Sequence, residues 1–131
     1  MATVPLMSDS EASPEARAVF DDIRATRGSD FINNFWRALA HDPALLDATW
    51  QRLKIVMGPG TLDPLTKELI YIAVSVANGC EYCAHSHTAA ARAKGMTPDQ
   101  HGELLAVIGM ASQTNALATA LQVPVDEVFK A

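Results

Sequence analysis

The chain has no basic cluster, no long apolar run and no second cysteine pair, and each absence excludes a class of function. Fifteen acidic residues against ten basic ones leave a net charge of −5. No window gathers the Lys and Arg residues of a nucleic-acid footprint, so no nucleic-acid partner is expected. The most apolar stretch, Leu69 to Ala77, is far shorter than the roughly 18 residues a membrane-spanning helix needs, and no membrane partner is expected either. The opening residues, Met1-Ala-Thr-Val-Pro-Leu-Met-Ser-Asp-Ser10, lack the basic start and apolar run of a secretory signal, which makes the cytoplasm the expected location. A Gly-rich dinucleotide fingerprint is missing as well. Gly58-Pro59-Gly60 reads as a turn rather than a phosphate loop, so no cofactor is expected and electrons have to arrive through thiols.

What remains is a chain of 131 residues, 49% hydrophobic and 19% charged, which is enough apolar surface for a real core. With no repeat, linker or low-complexity tract, it reads as a single domain over 1–131, residues 1–12 forming an N-terminal arm on the surface or on a neighbouring subunit. Helix starts recur in one form, a capping residue followed by proline: Ser13-Pro14, Asp42-Pro43, Asp63-Pro64 and Thr97-Pro98. Proline suits the first helical position because its missing N–H has no intrahelical acceptor there. Thr97-Pro-Asp-Gln100 also forms a capping box, and Asp30 reads as one more cap. The spacing predicts helices near 14–27, 31–40, 43–57, 64–78, 80–94, 98–112 and 114–122, with a frayed turn near the C-terminus. No stretch alternates with period two, so no strand is expected and the fold class is all-α, a compact bundle of six to seven helices. The segment Leu69 to Ala77 is apolar nearly all round and is expected to be buried on most sides. Together with the apolar positions of 104–108 and 117–123 it exceeds what one thin bundle covers, which favours a homo-oligomer.

The chemistry-bearing residues are Cys80-Glu-Tyr-Cys83 and His87. Two cysteines are too few for a disulfide scaffold, and a bond between neighbouring turns constrains almost nothing, so a reversible redox pair is the better reading. With Cys80 at 0° on a helix, Cys83 falls at about 300° and His87 at about 340°, one narrow face, while Tyr82 and His85 point away. Cys80 opens the helix, where unpaired N–H groups favour a thiolate; Cys83 has an imidazole four residues on. Glu68 stands at the start of the most apolar helix, where burial would raise its pKa toward that of a proton acceptor, or where a Lys or Arg on a neighbouring helix would pair with it.

The pattern Glu68-x11-Cys80-x2-Cys83-x3-His87 resembles the AhpD-like alkylhydroperoxidase branch of the carboxymuconolactone decarboxylase family. The resemblance is clearest from Leu62 to Met96, through Asn78-Gly79-Cys80-Glu-Tyr-Cys83-Ala-His-Ser-His87 and the exit Ala-Ala-Ala-Arg-Ala-Lys-Gly95. It implies an all-helical homo-oligomer, trimer or hexamer, that reduces hydroperoxides in antioxidant defence. Its dithiol would be regenerated by a lipoyl protein or a thioredoxin-like donor. It also implies roles: Cys83 peroxidatic, Cys80 resolving, His87 transferring protons and Glu68 accepting one. The best-known peroxidases of this branch carry a histidine before the second cysteine; Tyr82 stands there in this chain, which alters the proton relay and leaves Tyr82 and His85 as accessory candidates.

Two other classes compete. A decarboxylase-type lyase is the family's other branch, but that branch does without the cysteine pair. A non-enzymatic redox or metal-sensing module would use Cys80, Cys83 and His87 as zinc ligands, with His85, His41 or Glu68 as the fourth. Structural zinc sites usually draw on a second ligand pair, and no second CxxC or HxxxH is present, so no metal is expected. His41 and His101 read as structural residues near helix ends, and Phe35, Trp36 and Trp50 as packing.

Overall fold

The computed structural model describes residues 1–130, and its elements are six α-helices and one 3-10 turn with no strand among the described residues. The fold is all-α, as expected; position 131 of the expected domain lies outside the described residues. The chain divides into two compact units, Met1–Gly58 and Pro59 onward.

In the first unit, α1 (Pro14–Arg27) and α3 (Pro43–Met57) begin at the expected caps. The side chains of Ser13 and Asp42 accept the N–H groups of Ala16 and Leu45, two of the donors a helix start leaves unpaired. Helix α2 (Asn34–Leu39) begins later than expected, and Asn33 rather than Asp30 is its N-cap. The side-chain oxygen of Asn33 accepts from Arg27 at 2.5 Å instead of from the helix backbone, so the cap is held by tertiary contact. Phe20, Ile23, Leu46 and Trp50 are fully buried, each stabilising the fold by about 1.5–3 kcal/mol. Trp36 meets Trp50 edge-on at 5.5 Å and Phe35 at 4.9 Å, which gives the aromatic residues their packing role. The N-terminal arm lies on its own unit: Asp9 pairs with Arg24 at 2.6 Å and with Arg37 at 3.1 Å. His41 donates Nε2–H to the Pro5 carbonyl at 2.6 Å and so helps tie the arm down.

The second unit holds α4 (Pro64–Ala77), α5 (Glu81–Ala93), α6 (Pro98–Ala120) and the 3-10 turn Glu127–Phe129. Asp63 caps α4 through the Thr66 N–H, and Thr97 and Gln100 form the reciprocal capping box at α6. Helices α4 and α5 form a tightly packed hairpin. Ile72, Ala91 and Met96 make its core, with Leu65, Leu69, Leu104 and Ile108 packed against them. The two helices expected over 98–112 and 114–122 are one continuous helix. No Gly or Pro interrupts it near 113, and the hydroxyls of Ser112 and Thr114 bond back to the carbonyls of Ile108 and Met110 instead of capping a new helix. Helix α4 is also less enclosed than its composition predicts, because Ile70, Val74 and Val76 are exposed.

Candidate active site

The α4–α5 turn is what places the dithiol. Gly79 has φ +67, a left-handed conformation that costs glycine little, and it turns the chain directly after α4. The Cys80 N–H then bonds back to the Ser75 carbonyl at 2.9 Å. Cys80 is thereby the N-cap of α5, and its sulfur accepts the Cys83 N–H at 3.2 Å. The two cysteines are joined in a disulfide, with Cα atoms 5.3 Å apart. Both are partly buried.

Glu68, in the second turn of α4, is 3% exposed. His87 donates Nδ1–H to its Oε2 at 2.7 Å, and Lys94 donates from Nζ to its Oε1 at 2.5 Å. Both carboxylate oxygens therefore hold a charge-assisted hydrogen bond, the stronger kind. Burial pushes the Glu68 carboxyl up, but the hydrogen bonds from His87 and Lys94 outweigh it and hold the carboxyl below its ordinary value. This reverses the raised value expected from burial alone. Of the two readings of Glu68, the pairing with a cation from a neighbouring helix is the one seen, through Lys94 at the end of α5.

His87 is held on a second side. Its ring stacks on Tyr71, centroids 3.5 Å apart and planes 18° from parallel. An ionised carboxylate only accepts, so the Nδ1 hydrogen bond puts a proton on Nδ1 and leaves Nε2 of a neutral ring as the acceptor. Cys83, His87 and Lys94, spaced by four and seven residues, follow one face of α5.

The structure thus brings Glu68, His87, Cys80 and Cys83 onto one hairpin. It does not bring in His85, whose side chain is 82% exposed and lies 4.0 Å from Glu81. Tyr82 is 44% exposed on the same rim. His101 sits in the first turn of α6, near a helix end. Tyr71 and Lys94 escaped the sequence reading. Tyr71 follows Glu68 by three residues and Lys94 follows His87 by seven, so each shares a helix face with a motif residue, and that periodicity was the available signal. No three His, Cys, Asp or Glu side chains among the described residues converge as metal ligands, and no helix among them is long and apolar enough to cross a membrane.

Fold and site together define a class: an all-α protein with a helix-capping dithiol beside a buried carboxylate–imidazole pair. Comparison with known proteins narrows it. Residues 43–126 match the carboxymuconolactone decarboxylase family, and the chain belongs to that family. It is 31% identical over 126 residues to the alkyl hydroperoxide reductase AhpD of Maricaulis maris, covering 92% of this chain and 68% of that protein. It is 36% identical over 77 residues to the AhpD of Solibacter usitatus, covering 59% of this chain but only 41% of the relative's length. The crystal structure of an alkylhydroperoxidase AhpD core from Rhodospirillum rubrum is similar throughout, with 69% identity, a TM-score of 0.97, and coverage of 100% of this chain and 98% of that one.

Proposed function

We propose that this protein is a dithiol-dependent hydroperoxide reductase of the alkylhydroperoxidase type. The observation that carries the reading is the Glu68–His87 pair, built into the same hairpin as the Cys80–Cys83 disulfide. A merely structural disulfide has no use for a buried, oriented proton acceptor beside it.

In the reduced protein the Cys83 thiol gives its proton to Nε2 of His87, and Glu68 stabilises the resulting imidazolium. The Cys83 thiolate attacks a peroxide oxygen and the O–O bond breaks. Cys83 becomes a sulfenic acid, and the departing alkoxide takes the proton from His87 to leave as an alcohol. Cys80 then attacks the Cys83 sulfur; the disulfide forms, and the hydroxyl leaves as water with the Cys80 proton, which passes through the His87–Glu68 pair. An external dithiol, a lipoyl protein or a thioredoxin-like donor of the cytoplasm, supplies the two electrons and two protons that restore both thiols. The protein itself needs no cofactor or metal in this cycle. Cys83 is the peroxidatic and Cys80 the resolving residue, with Tyr82 and His85 as rim residues where peroxide and reductant approach.

The exposed apolar side chains of Leu105, Val107, Met110 and Leu117 on α6 support a homo-oligomer, with a second copy of the chain as the partner that covers them.

Cysteine variants test the reading, with dithiothreitol as reductant and an organic hydroperoxide as substrate. Cys83→Ser is expected to abolish consumption, and Cys80→Ser to stop after one turnover with a sulfenic acid that dimedone traps. Wild-type turnover in both single variants would end the proposal.

A further inference from the structure

Lys94 is the C-cap of α5, and its Nζ reaches Oε1 of Glu68, 26 positions earlier in the chain. The lysine side chain is 37% exposed while that of Glu68 is 5% exposed, so a solvent-edge cation reaches in to a buried anion. The other oxygen of the same carboxylate takes the Nδ1–H of His87. A carboxylate is planar, so anchoring Oε1 fixes where Oε2 lies, and with it the orientation of the imidazole that Tyr71 holds from its face.

We propose that Lys94 is a positioning residue for the dithiol reaction: it clamps Glu68 as the oriented carboxylate that keeps the proton of His87 on Nδ1 and leaves Nε2 to take the thiol proton. This deepens the reductase reading and rests on it. Lys94 does not touch the reacting atoms; it acts through Glu68 and His87. Without the cation, burial would favour a neutral Glu68. A protonated Glu68 loses its charge-assisted hold on His87 and with it the stabilisation of the imidazolium. The charged groups acting on Glu68 are His87 and Lys94 from the α5 side. On α4 itself the titratable neighbours in sequence are Lys67 and, one turn on, Tyr71, whose ring stacks on His87; α6 packs on the Ile72, Ala91 and Met96 core through Leu104 and Ile108.

The test uses the full chain in two assays across pH: hydroperoxide turnover with dithiothreitol, and alkylation of the reduced Cys83 by iodoacetamide. Lys94→Met is expected to lower turnover on the order of tenfold and to move the acid limb of both profiles to higher pH, because Glu68 then protonates more readily. Lys94→Arg is expected to restore the position of the limb. If Lys94→Met does not fold, Lys94→Gln, which keeps a donor but no charge, serves in its place. A folded uncharged variant with an unmoved acid limb, or Lys94→Arg as defective as the uncharged variant, overturns the proposal and leaves Lys94 an ordinary ion-pair partner. A wild-type protein that consumes no hydroperoxide would defeat the reductase reading, while the alkylation profile would still decide the role of Lys94.

Discussion

His87 donates Nδ1–H to Oε2 of Glu68 across 2.7 Å, linking α5 to α4 through a carboxylate that is buried from water. One hydrogen bond thus does two jobs. It satisfies a buried carboxylate that would otherwise carry a large desolvation penalty, and it fixes which nitrogen of the imidazole is free to take a proton.

These two jobs separate in Glu68→Gln. The amide keeps the shape and a hydrogen-bonding oxygen, but it neither stabilises an imidazolium nor neutralises Lys94. Dithiothreitol-dependent hydroperoxide turnover is expected to fall by roughly 10²-fold or more, the range for loss of a proton-transfer partner, while the far-ultraviolet circular dichroism stays helical. Unchanged activity with a lower midpoint of thermal unfolding would instead show Glu68 to be a structural ion-pair residue.

The same carboxyl makes a sign prediction for stability. Its folded value lies below the ordinary 4.5 because the donors from His87 and Lys94 outweigh burial. A group depressed in this way binds its proton less readily folded than unfolded, so its contribution is full above the unfolded value and is lost as pH falls through the lower folded one. The gap in thermal midpoint between wild type and Glu68→Gln should therefore hold constant near neutral pH and close on acidification below about 4.5. Subtracting the variant removes the shared acid response of Asp9, Asp22 and Asp63, whose carboxyls are also held low.

Local chemistry explains what the sequence could show. The four caps followed by proline lie within three residues of the N–H groups they satisfy, so Ser13, Asp42, Asp63 and Thr97 marked four helix starts unaided. Asn33 was hidden because its side chain answers Arg27, six residues away, and not its own helix. The continuity of α6 was hidden for the opposite reason: Ser112 and Thr114 look like breakers until their hydroxyls are seen bonded to the preceding turn. In the site, Cys80, Cys83 and His87 were legible by spacing on α5, whereas Glu68 stands on α4, where spacing along one helix could not tie it to them. The Lys94–Glu68 bond was not legible either, because it spans 26 positions and depends on how α4 meets α5.

Tyr82 offers a gain-of-function test. It precedes Cys83 on the exposed rim of α5, where the better-known peroxidases resembled by this chain keep a histidine. An imidazole there accepts a proton on one nitrogen and donates from the other, whereas a phenol has a single oxygen for both tasks. Tyr82→His is expected to raise the rate of hydroperoxide consumption several-fold near neutral pH and to leave thermal stability within about 0.5 kcal/mol, as for other surface substitutions. Steady-state turnover beside thermal unfolding checks both; an unchanged or lower rate would show that the relay in this chain does not pass through position 82.

Helix α6 makes the last prediction. From Gly109 to Ala120 every residue is exposed, yet the helix continues without a break to Ala120. A helical segment of this length with no packing partner is marginal in water, since most helix stability in proteins comes from burying an apolar face. Met110 and Leu117, seven residues apart, fall on one side of α6, the face that a second copy of the chain would cover in the proposed homo-oligomer. Met110→Glu combined with Leu117→Glu is then expected to lower the mass measured by light scattering toward that of one chain. It should also reduce the helical circular dichroism, because the C-terminal half of α6 loses its support. Retention of the wild-type mass with full helicity would show that this face is not where copies meet.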